Sequence, residues 1–174
     1  MKSTQNTTQH NLDIFDISRS RILAQNDGSS VIIPHVCNNI NLFGAGFAAA
    51  VADNYPIVKQ NFHMLGNRAK LGYVQYVTAA KNKTHDHQLI FANMVAQNRT
   101  ISPNNRRPLN YEYLIKCMID VRNYAINFQK MNDEKLEIHC PKFGSGLAGG
   151  NWNFIRELIA DIWFNIPVYI YSKK

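Results

Sequence analysis

The sequence predicts a three-layer α/β domain in which helices cover both faces of a mixed sheet. Short apolar segments typical of strands alternate along the chain with amphipathic segments typical of helices. Two glycine-rich turns, within 44–46 and 144–150, each follow an apolar strand and lead into a helix. A short polar link at 81–87 joins two apolar runs, which predicts an antiparallel pair and therefore a mixed sheet.

The first elements follow from local patterns between residues 1 and 65. Residues 1–11 are polar, and we predict a disordered tail there. Residues 12–17 alternate apolar and polar side chains, which predicts a half-buried strand, and the apolar run 31–33 after a turn predicts another. The alanine-rich segment 46–54 predicts a helix that stops before Tyr55-Pro56, and a second helix is expected from Pro56 to about Leu65.

The later elements complete an alternating order. Apolar runs predict strands at 71–77, 88–95, 136–140 and 168–171. A long helix is expected from about 110 to 129, where apolar residues recur on one stripe, and another where apolar residues recur from Trp152 to Trp163. We find no repeat and no internal linker, so residues 12–174 are predicted to form a single domain.

Composition narrows the class of protein. Apolar residues make up 45% of the chain and charged residues 18%, as in globular proteins. The longest nearly apolar run, 42–52, is about half of a ~20-residue membrane span, so no membrane association is expected. Cys37, Cys117 and Cys140 lack metal-ligand spacing, which predicts no metal site and a reduced, cytoplasmic setting.

The net charge of +7 favours anionic partners such as a nucleotide, a nucleic acid or an acidic protein. The same charge also fits a solvated basic surface with no partner. Aromatic residues do not alternate with basic ones over any long stretch, so a nucleic-acid groove is not indicated. We expect a monomer.

The first glycine-rich turn follows the second predicted strand. Gly44 and Gly46 bracket Ala45, and glycine lets the backbone adopt positive φ angles and approach a ligand closely. Asn38 and Asn41 carry amide groups that can bind sugar hydroxyls. The same residues also fit a plain strand–turn–helix corner, in which asparagines form the turn.

The second turn contains four glycines within seven residues. They are Gly144, Gly146, Gly149 and Gly150. Glycine costs chain entropy, which favours a role in exposing backbone N–H groups. Asn151 is a good N-cap for the helix that begins at Trp152, whose positive end would face the same spot. Neither a Walker loop nor the Rossmann glycine spacing is present. Two amide-rich turns at one sheet edge predict a diphosphate site.

These two loops resemble those of macro domains. The segment 35–48, with His35, Cys37, Asn38 and Asn41 running into Gly44-Ala45-Gly46-Phe47-Ala48, resembles the first binding loop of that family, most closely in the branch containing ADP-ribose-1″-phosphate phosphatases. The segment 141–152 resembles the second loop of the same branch, and the similarity spans roughly residues 12–172. The resemblance implies a three-layer α/β/α macro domain with a mixed, roughly six-stranded sheet that binds ADP-ribose across its loop-bearing edge.

The resemblance also implies roles for particular residues. Residues 45–47 would touch the diphosphate from one side and residues 145–148 from the other, with Asn38 and Asn41 near the distal ribose. In full, the predicted ligand-binding residues are Arg21, Ile22, Cys37, Asn38, Asn41, Phe43, Gly44, Ala45, Gly46, Phe47, Phe143, Gly144, Ser145, Gly146, Leu147, Ala148 and Tyr171. Tyr171 equally fits base stacking or core packing.

The sequence departs from the family pattern at two places. Macro domains usually have an acidic residue after the first strand that accepts the adenine amino hydrogen, and our alignment puts Arg21 there. Arginine cannot accept a hydrogen bond but can stack on a base, which leaves adenine selectivity open. The lysine–aspartate pair of ADP-ribosyl-glutamate hydrolases aligns with Gln97 and Ala148, so that mechanism is not supported.

His35 is the best candidate for phosphate-ester hydrolysis, with Asn41 orienting the distal ribose. An imidazole can protonate a leaving oxygen or orient water. A buried histidine at a strand end also fits a structural hydrogen-bonding role. Cys37 lacks the arginine of a Cys-x5-Arg motif and is interpreted as a small apolar filler.

The sequence therefore predicts binding of ADP-ribose or a derivative, with hydrolysis of ADP-ribose 1″-phosphate to ADP-ribose and phosphate and no cofactor. The first alternative is a non-catalytic domain that reads or sequesters ADP-ribose-type nucleotides. The second is an ADP-ribosyl hydrolase with an unusual mechanism.

Overall fold

A mixed sheet forms the middle layer of the protein. The computed structural model describes residues 7–10, 12–24 and 27–172, with the backbone alone described for 7–10. The strands are β1 (Thr7–His10), β2 (Ser30–Asn38), β3 (Val74–Lys81), β4 (Gln88–Gln97), β5 (Leu136–Pro141) and β6 (Val168–Tyr171). Their spatial order is β1-β6-β5-β2-β4-β3, and every pair is parallel except the hairpin β3–β4. The predicted antiparallel pair and the mixed sheet are confirmed.

Five helices flank this sheet in the described part of the chain. They are α1 (Ile14–Leu23), α2 (Gly46–Asn54), α3 (Pro56–Leu65), α4 (Tyr111–Asn132) and α5 (Trp152–Ile162). A 3₁₀ turn, Gly66–Arg68, follows α3. The predicted bounds of α2 and α3 are confirmed, and α4 runs three residues beyond its predicted end at 129.

Two apolar clusters pack on opposite faces of the sheet. One unites α4 and α5 through side chains such as Met118, Ile159 and Trp163. The other unites α1, α2 and α3 through side chains such as Phe15 and Phe62. Strand β2 serves both clusters, because side chains alternate across a strand. The three-layer α/β/α class is therefore confirmed.

The predicted strand at 12–17 is wrong, because helix α1 occupies most of that segment. Asp13 caps the helix: its Oδ1 accepts hydrogen bonds from the N–H groups of Phe15 at 2.7 Å and Asp16 at 3.1 Å. The buried residues of α1 are Ile14, Phe15, Ser18 and Ile22, which follow a helical period. The short alternation in 12–17 was too brief to separate the two periods.

Part of the predicted tail belongs to the sheet instead. Residues 7–10 form β1, which pairs in parallel with β6 in the register Thr7↔Val168 to His10↔Tyr171. Residues 1–6 and 11 of the predicted tail lie outside the described residues. Within the described ranges, no helix combines the length and apolar character that crossing a membrane requires.

A candidate anion-binding cavity

A cavity of about 640 Å³ opens at the carboxyl ends of β2, β4 and β5. This edge is where parallel α/β sheets bind ligands, and the volume is ordinary for a small-molecule site. Its lining comes from the loops after these strands and from α2 and α3. The lining residues are His35, Val36, Cys37, Asn38, Leu42, Phe43, Gly44, Ala45, Gly46, Phe47, Ala48, Lys59, His63, Gln97, Thr100, Ile101, Pro141, Lys142, Phe143, Gly144, Gly146, Leu147 and Ala148.

The first turn presents the uncapped end of α2 to this cavity. Ala45 is the N-cap and has no side chain to bind the first backbone N–H groups of the helix. Among the described residues, the backbone N–H groups of 44–47 have no hydrogen-bond partner. Gly46 has φ 57°, a left-handed value that glycine adopts without strain, whereas Gly44 does not have the positive φ that we expected. The turn thus offers several N–H donors to an anion.

The second turn uses its glycines differently from our prediction. The N–H of Gly149 bonds to the carbonyl of Gly146 at 2.9 Å, and the N–H of Gly150 bonds to that of Gly144 at 2.8 Å. These two N–H groups hold the turn together and do not face a ligand. The N–H groups of 145–148 have no partner in the described part of the protein, so they are the donors that remain.

Gly149 is required by packing as well as by its dihedral angle. Its φ is 74°, and an added Cβ would lie 2.7 Å from the carbonyl oxygen of Arg106. Because the obstacle is backbone, we expect Gly149→Ala to cost about 2 kcal/mol or more in the free energy of unfolding. Urea unfolding measures this, with Gly44→Ala as the control, because a Cβ at Gly44 would meet no atom within 4 Å. Equal stability of the two variants would contradict the expectation.

The two turns close on one another across the cavity. A Cβ built on Gly46 would lie 3.6 Å from Cδ1 of Leu147, so only a narrow space separates the loops. The charged lining residues are Lys59 and Lys142, and no carboxylate lines the cavity in the described ranges. The cavity therefore combines backbone donors with positive charge, which favours an anionic ligand.

His35 lies at the floor of the cavity, where a chain of hydrogen bonds determines its tautomer. The backbone carbonyl of Asn61 accepts a hydrogen bond from Nε2 of Gln75 at 2.9 Å, which fixes the orientation of the Gln75 amide. Oε1 of Gln75 therefore faces Asn93 and accepts a hydrogen bond from its Nδ2 at 3.0 Å. Oδ1 of Asn93 then accepts from Nε2 of His35 at 2.6 Å. The remaining ring nitrogen, Nδ1, lies 3.8 Å from Sγ of Cys37. Both nitrogens of His35 therefore face protein groups.

The environment of His35 also keeps its ring neutral. The side chain is 1% exposed and lies among the rings of Phe43, Phe47 and Phe91. Burial lowers the pKa of His35 from its usual 6.5 to about 4, and the hydrogen bond to Asn93 offsets only part of this effect. These features agree with the structural alternative for His35 and argue against proton donation near neutral pH.

We expect the His35 ring to stay neutral from pH 8 down to about pH 5. Its ring resonances in an NMR titration should shift with a midpoint near pH 4. A depressed folded-state pKa means that the unfolded chain binds the proton more readily, so His35 should reduce stability as the pH falls from 6.5 towards 4. A midpoint at or above pH 6 would contradict this account of the cavity floor.

The side-chain amides of both asparagines of the first turn bond within the protein, although Asn38 also lines the cavity. Oδ1 of Asn38 accepts from the N–H groups of Ile40 at 3.1 Å and Leu42 at 3.0 Å, and its Nδ2 donates to the Leu42 carbonyl at 2.7 Å. Asn41 has φ 59° and bonds to His63, and it does not line the cavity. Both therefore behave as turn formers, the alternative that the sequence left open.

Four other predicted ligand-binding residues do not line the cavity, and two of them, Arg21 and Ile22, lie in α1. Arg21 sits in the last turn of α1 and forms a two-point ion pair with Glu137, with Nη2 2.6 Å from Oε1 and Nε 3.0 Å from Oε2. Glu137 is near the start of β5, whereas the cavity lies beyond the last residue of that strand, Pro141. The alignment that assigned Arg21 to the base is thus not supported by its position. Ile22 is core, at 3% exposure.

Tyr171 and Ser145 also bond within the protein. Tyr171 is buried, and its hydroxyl lies 2.9 Å from Nδ1 of His139. Ser145 donates its hydroxyl hydrogen to the Lys142 carbonyl at 2.9 Å. Asn151 caps α5 through the N–H groups of Asn153 and Phe154, so that helix end is satisfied by its own cap.

Sequence reasoning missed a whole side of the cavity. Lys59 and His63 reach it from α3, and Thr100 and Ile101 reach it from the loop after β4. The four-residue spacing of Lys59 and His63 on one helix face is a signal that sequence alone contains. Gln97 and Ala148, which align with the lysine–aspartate pair of a neighbouring branch, both line the cavity. The described residues contain no cluster of three or more side chains that could hold a metal ion.

Several solved structures share this architecture. A macrodomain protein from Streptomyces coelicolor matches with a TM-score of 0.69 at 24% identity, covering 97% of this chain and 99% of that chain. The macrodomain of Mycobacterium tuberculosis DarG matches with a TM-score of 0.69 at 14% identity, covering 98% and 99%. Thermosipho africanus DarTG, solved in complex with ADP-ribose, matches with a TM-score of 0.68 at 19% identity, covering 97% of this chain and 42% of that chain.

The chain therefore has the macrodomain fold, and the fold that the loop resemblance implies is confirmed. No family model and no curated protein matches the sequence. At identities this low the likeness concerns the fold, so the function must be argued from the cavity itself.

Proposed function

We propose that this protein binds ADP-ribose or a derivative of it. The observation that carries the proposal is the pair of turns with unpartnered N–H groups, 44–47 and 145–148, which face each other across one cavity. Such paired donors suit the two phosphates of a diphosphate, and the uncapped positive end of α2 adds to the attraction. Part of Thermosipho africanus DarTG has the same fold, and the complex of that protein with ADP-ribose supports this choice of ligand.

The base end of the ligand suggests a role for Asp13. The loop resemblance implies an acidic residue after the first strand, and β1 ends at His10. The acidic residue that follows is then Asp13 and not Arg21. Oδ1 of Asp13 caps α1, which leaves Oδ2 as an acceptor for an adenine amino group.

Replacing Asp13 by Asn tests this assignment without removing the cap, because the Asn amide oxygen can still accept from the helix. We expect ADP-ribose affinity to fall about tenfold through the loss of the charged acceptor, with an unchanged melting temperature. Calorimetric titration measures the change. Unchanged affinity in Asp13→Asn would remove Asp13 from the site.

Hydrolysis of ADP-ribose 1″-phosphate receives less support than binding. In the sequence hypothesis His35 assists the leaving group, but a neutral ring with both nitrogens facing protein groups is a poor acid. We therefore propose a binding function in which His35 shapes the cavity floor. An assay of phosphate release from ADP-ribose 1″-phosphate, with wild type and folded His35→Ala compared, tests this. Release that the variant abolishes would restore the catalytic role.

The decisive experiment for binding is calorimetric titration with ADP-ribose, with AMP and ribose 5-phosphate as partial ligands. We expect saturable binding of ADP-ribose and much weaker binding of both fragments, because neither spans the two turns. If ADP-ribose fails to bind at millimolar concentration, the proposed function is wrong.

A further inference from the structure

The loops at the cavity end of the sheet carry an unbalanced positive charge. Four of them, at 39–45, 66–73, 98–110 and 142–151, meet there, because the parallel strands β2, β4 and β5 end at this edge and the antiparallel β3 begins at it. These loops contain no aspartate or glutamate. Their cationic residues, all exposed, are Arg68, Lys70, Arg99, Arg106, Arg107 and Lys142. None of these six forms an ion pair with a described residue. We call the surface formed by the four loops the loop face.

The opposite end of the sheet has no such imbalance. The loop between β3 and β4 and the loop before β5 carry both signs, with Lys83 and Lys135 beside three carboxylates. One of these carboxylates, that of Asp86, pairs with Nζ of Lys81 at 3.0 Å. Cations that repel one another at one end of a protein lower its stability, so their concentration on the loop face indicates an anionic partner.

The loop face also exposes large apolar side chains. Leu42, Ile101 and Leu147 stand on three different loops around the cavity opening, and each of them is half-exposed. Met64, next to the loop at 66–73, is 74% exposed, and Phe154 at the start of α5 is 38% exposed. Neither Met64 nor Phe154 lines the cavity, so a ligand bound in the cavity would leave both in water. A surface that exposes several large apolar side chains together is typical of an interaction site.

The aromatic rings of the loop face do not favour a nucleic acid as the partner. The guanidinium carbon of Arg107 lies 5.1 Å from the centroid of the Tyr111 ring, and Nζ of Lys142 lies 5.9 Å from the centroid of the Trp152 ring. Single-stranded nucleic acids stack their bases on ring faces, and here the protein's own cations occupy those faces. The exposed aliphatic side chains would also lie against a charged sugar–phosphate backbone.

The relief of the loop face distinguishes a protein partner from a lipid surface. A stable protein interface is densely packed at its centre. The cavity of about 640 Å³ opens within the loop face, between three of its loops, so a rigid partner would leave that centre unpacked. A layer of lipid headgroups is fluid and adapts to such relief. Anionic lipids attract basic residues, and the boundary between headgroups and acyl chains accepts apolar side chains.

We propose that the loop face docks on the surface of an anionic bilayer. Its six cations lie over the headgroups, and Leu42, Ile101 and Leu147 insert among them. The proposal goes beyond the proposed function and does not depend on it, because it requires the loops and not a ligand in the cavity. Our expectation of no membrane association was based on the lack of a long apolar run, and a contact within the headgroup layer needs no such run.

Sedimentation of the full chain with lipid vesicles tests the docking. The probes are vesicles of phosphatidylcholine alone and vesicles in which about a third of the lipid is phosphatidylserine. We expect binding to the anionic vesicles and not to the neutral ones, and we expect added salt to weaken it. Arg106→Gln combined with Arg107→Gln should weaken binding about twentyfold, since each basic residue near an anionic surface contributes about fivefold. Ile101→Ser combined with Leu147→Ser should weaken it at least about fivefold without any change of charge.

Lys83→Gln combined with Lys135→Gln is the matched control, because it removes the same charge from exposed positions at the opposite end of the sheet. Melting temperatures close to that of wild type establish that the variants fold. A loss of binding in this control as large as that of the double arginine variant would show attraction by net charge alone and overturn the proposal. Full binding by the Ile101 and Leu147 variant would overturn it too.

Two further results would reject a lipid surface outright. One is a failure of wild type to bind the anionic vesicles. The other is tighter binding of a single-stranded oligothymidylate than of the vesicles at the same salt concentration, with the same dependence on Arg106 and Arg107, which would assign the loop face to nucleic acid. Calorimetric titration of wild type with ADP-ribose is independent of these results, so docking and the proposed function can fail separately.

Discussion

Replacing Gly146 by glutamate should abolish ADP-ribose binding while leaving the fold intact. Gly146 lines the cavity between the two turns, and a Cβ there would meet no atom within 4 Å. Its φ lies outside the left-handed region, so a side chain causes no backbone strain. The added carboxylate would project from the turn that we assign to the diphosphate. There it would repel the phosphates of the ligand and also occupy part of the space that they need. We expect the affinity to fall by at least about a hundredfold.

Gly146→Gln separates charge from bulk, because glutamine has nearly the same size and no charge. It should weaken binding less than Gly146→Glu does, and raising the salt concentration should narrow the difference. Melting temperatures within a few degrees of wild type would establish that both variants fold. If Gly146→Glu binds ADP-ribose as wild type does, the second turn does not contact the ligand.

The cavity was predictable where its parts are local in sequence. The turns at 44–47 and 144–148 can be predicted from the glycines that lie between a strand and a helix, and most of the residues of these turns line the cavity. Backbone donors depend on chain geometry alone, so a sequence pattern can specify them. The same holds for the layers of the fold, since the apolar stripe of α4 was visible as a helical period.

What the sequence did not reveal depends on partners distant along the chain. From the sequence, His35 is a candidate general acid. In the structure it is hydrogen-bonded to Asn93, which is 58 residues away, and surrounded by aromatic rings, and neither contact can be predicted from its local sequence. From the sequence, Arg21 could stack on the adenine of a ligand. In the structure it forms an ion pair with Glu137, which is 116 residues away. Each of these side chains has an ordinary local context, and only tertiary packing assigns its role.

Misplacing the first strand had a consequence for the site as well. The alternation at 12–17 was interpreted as a strand, which moved the expected acidic position forward to Arg21. The structure places the strand at 7–10 and makes Asp13 the N-cap of α1, so an acidic residue follows the first strand closely. An aspartate just before an apolar segment is a local signal for the start of a helix. In this segment the alternation of apolar and polar residues favoured a strand, and we gave it more weight than the cap.

Breaking the Arg21–Glu137 pair should be among the most destabilising single changes in the chain. The Glu137 side chain is 8% exposed, and it accepts from Arg21 at both oxygens and lies 3.1 Å from Nε2 of His139. Arg21→Met would leave that buried carboxylate with less than half of its charge-assisted bonds. Removal of one partner of a buried ion pair costs ~3–5 kcal/mol, and we expect about 3 because a third of the Arg21 side chain is exposed.

Arg19→Met is the control, because Arg19 pairs with Asp16 on the same helix and both side chains are largely exposed. In Arg19→Met we expect the free energy of unfolding to fall by less than about 1 kcal/mol. Urea unfolding at pH 7 compares the two. Equal losses would show that the Arg21 pair stabilises the protein no more than a surface pair does.

The free energy of unfolding measured as a function of pH in the acid range provides an independent test of the Arg21–Glu137 ion pair. Burial alone would raise the pKa of the Glu137 carboxyl, but hydrogen bonds from His139 and Arg21 outweigh it and lower the pKa from 4.5 to about 2. Between these values the unfolded chain binds the proton more readily, so this contribution to stability is complete above pH 4.5 and is lost as the pH falls towards 2. Arg21→Met should flatten that part of the curve, because the folded-state pKa rises. A variant that keeps the full wild-type slope between pH 4.5 and 2 would show that another carboxylate produces it.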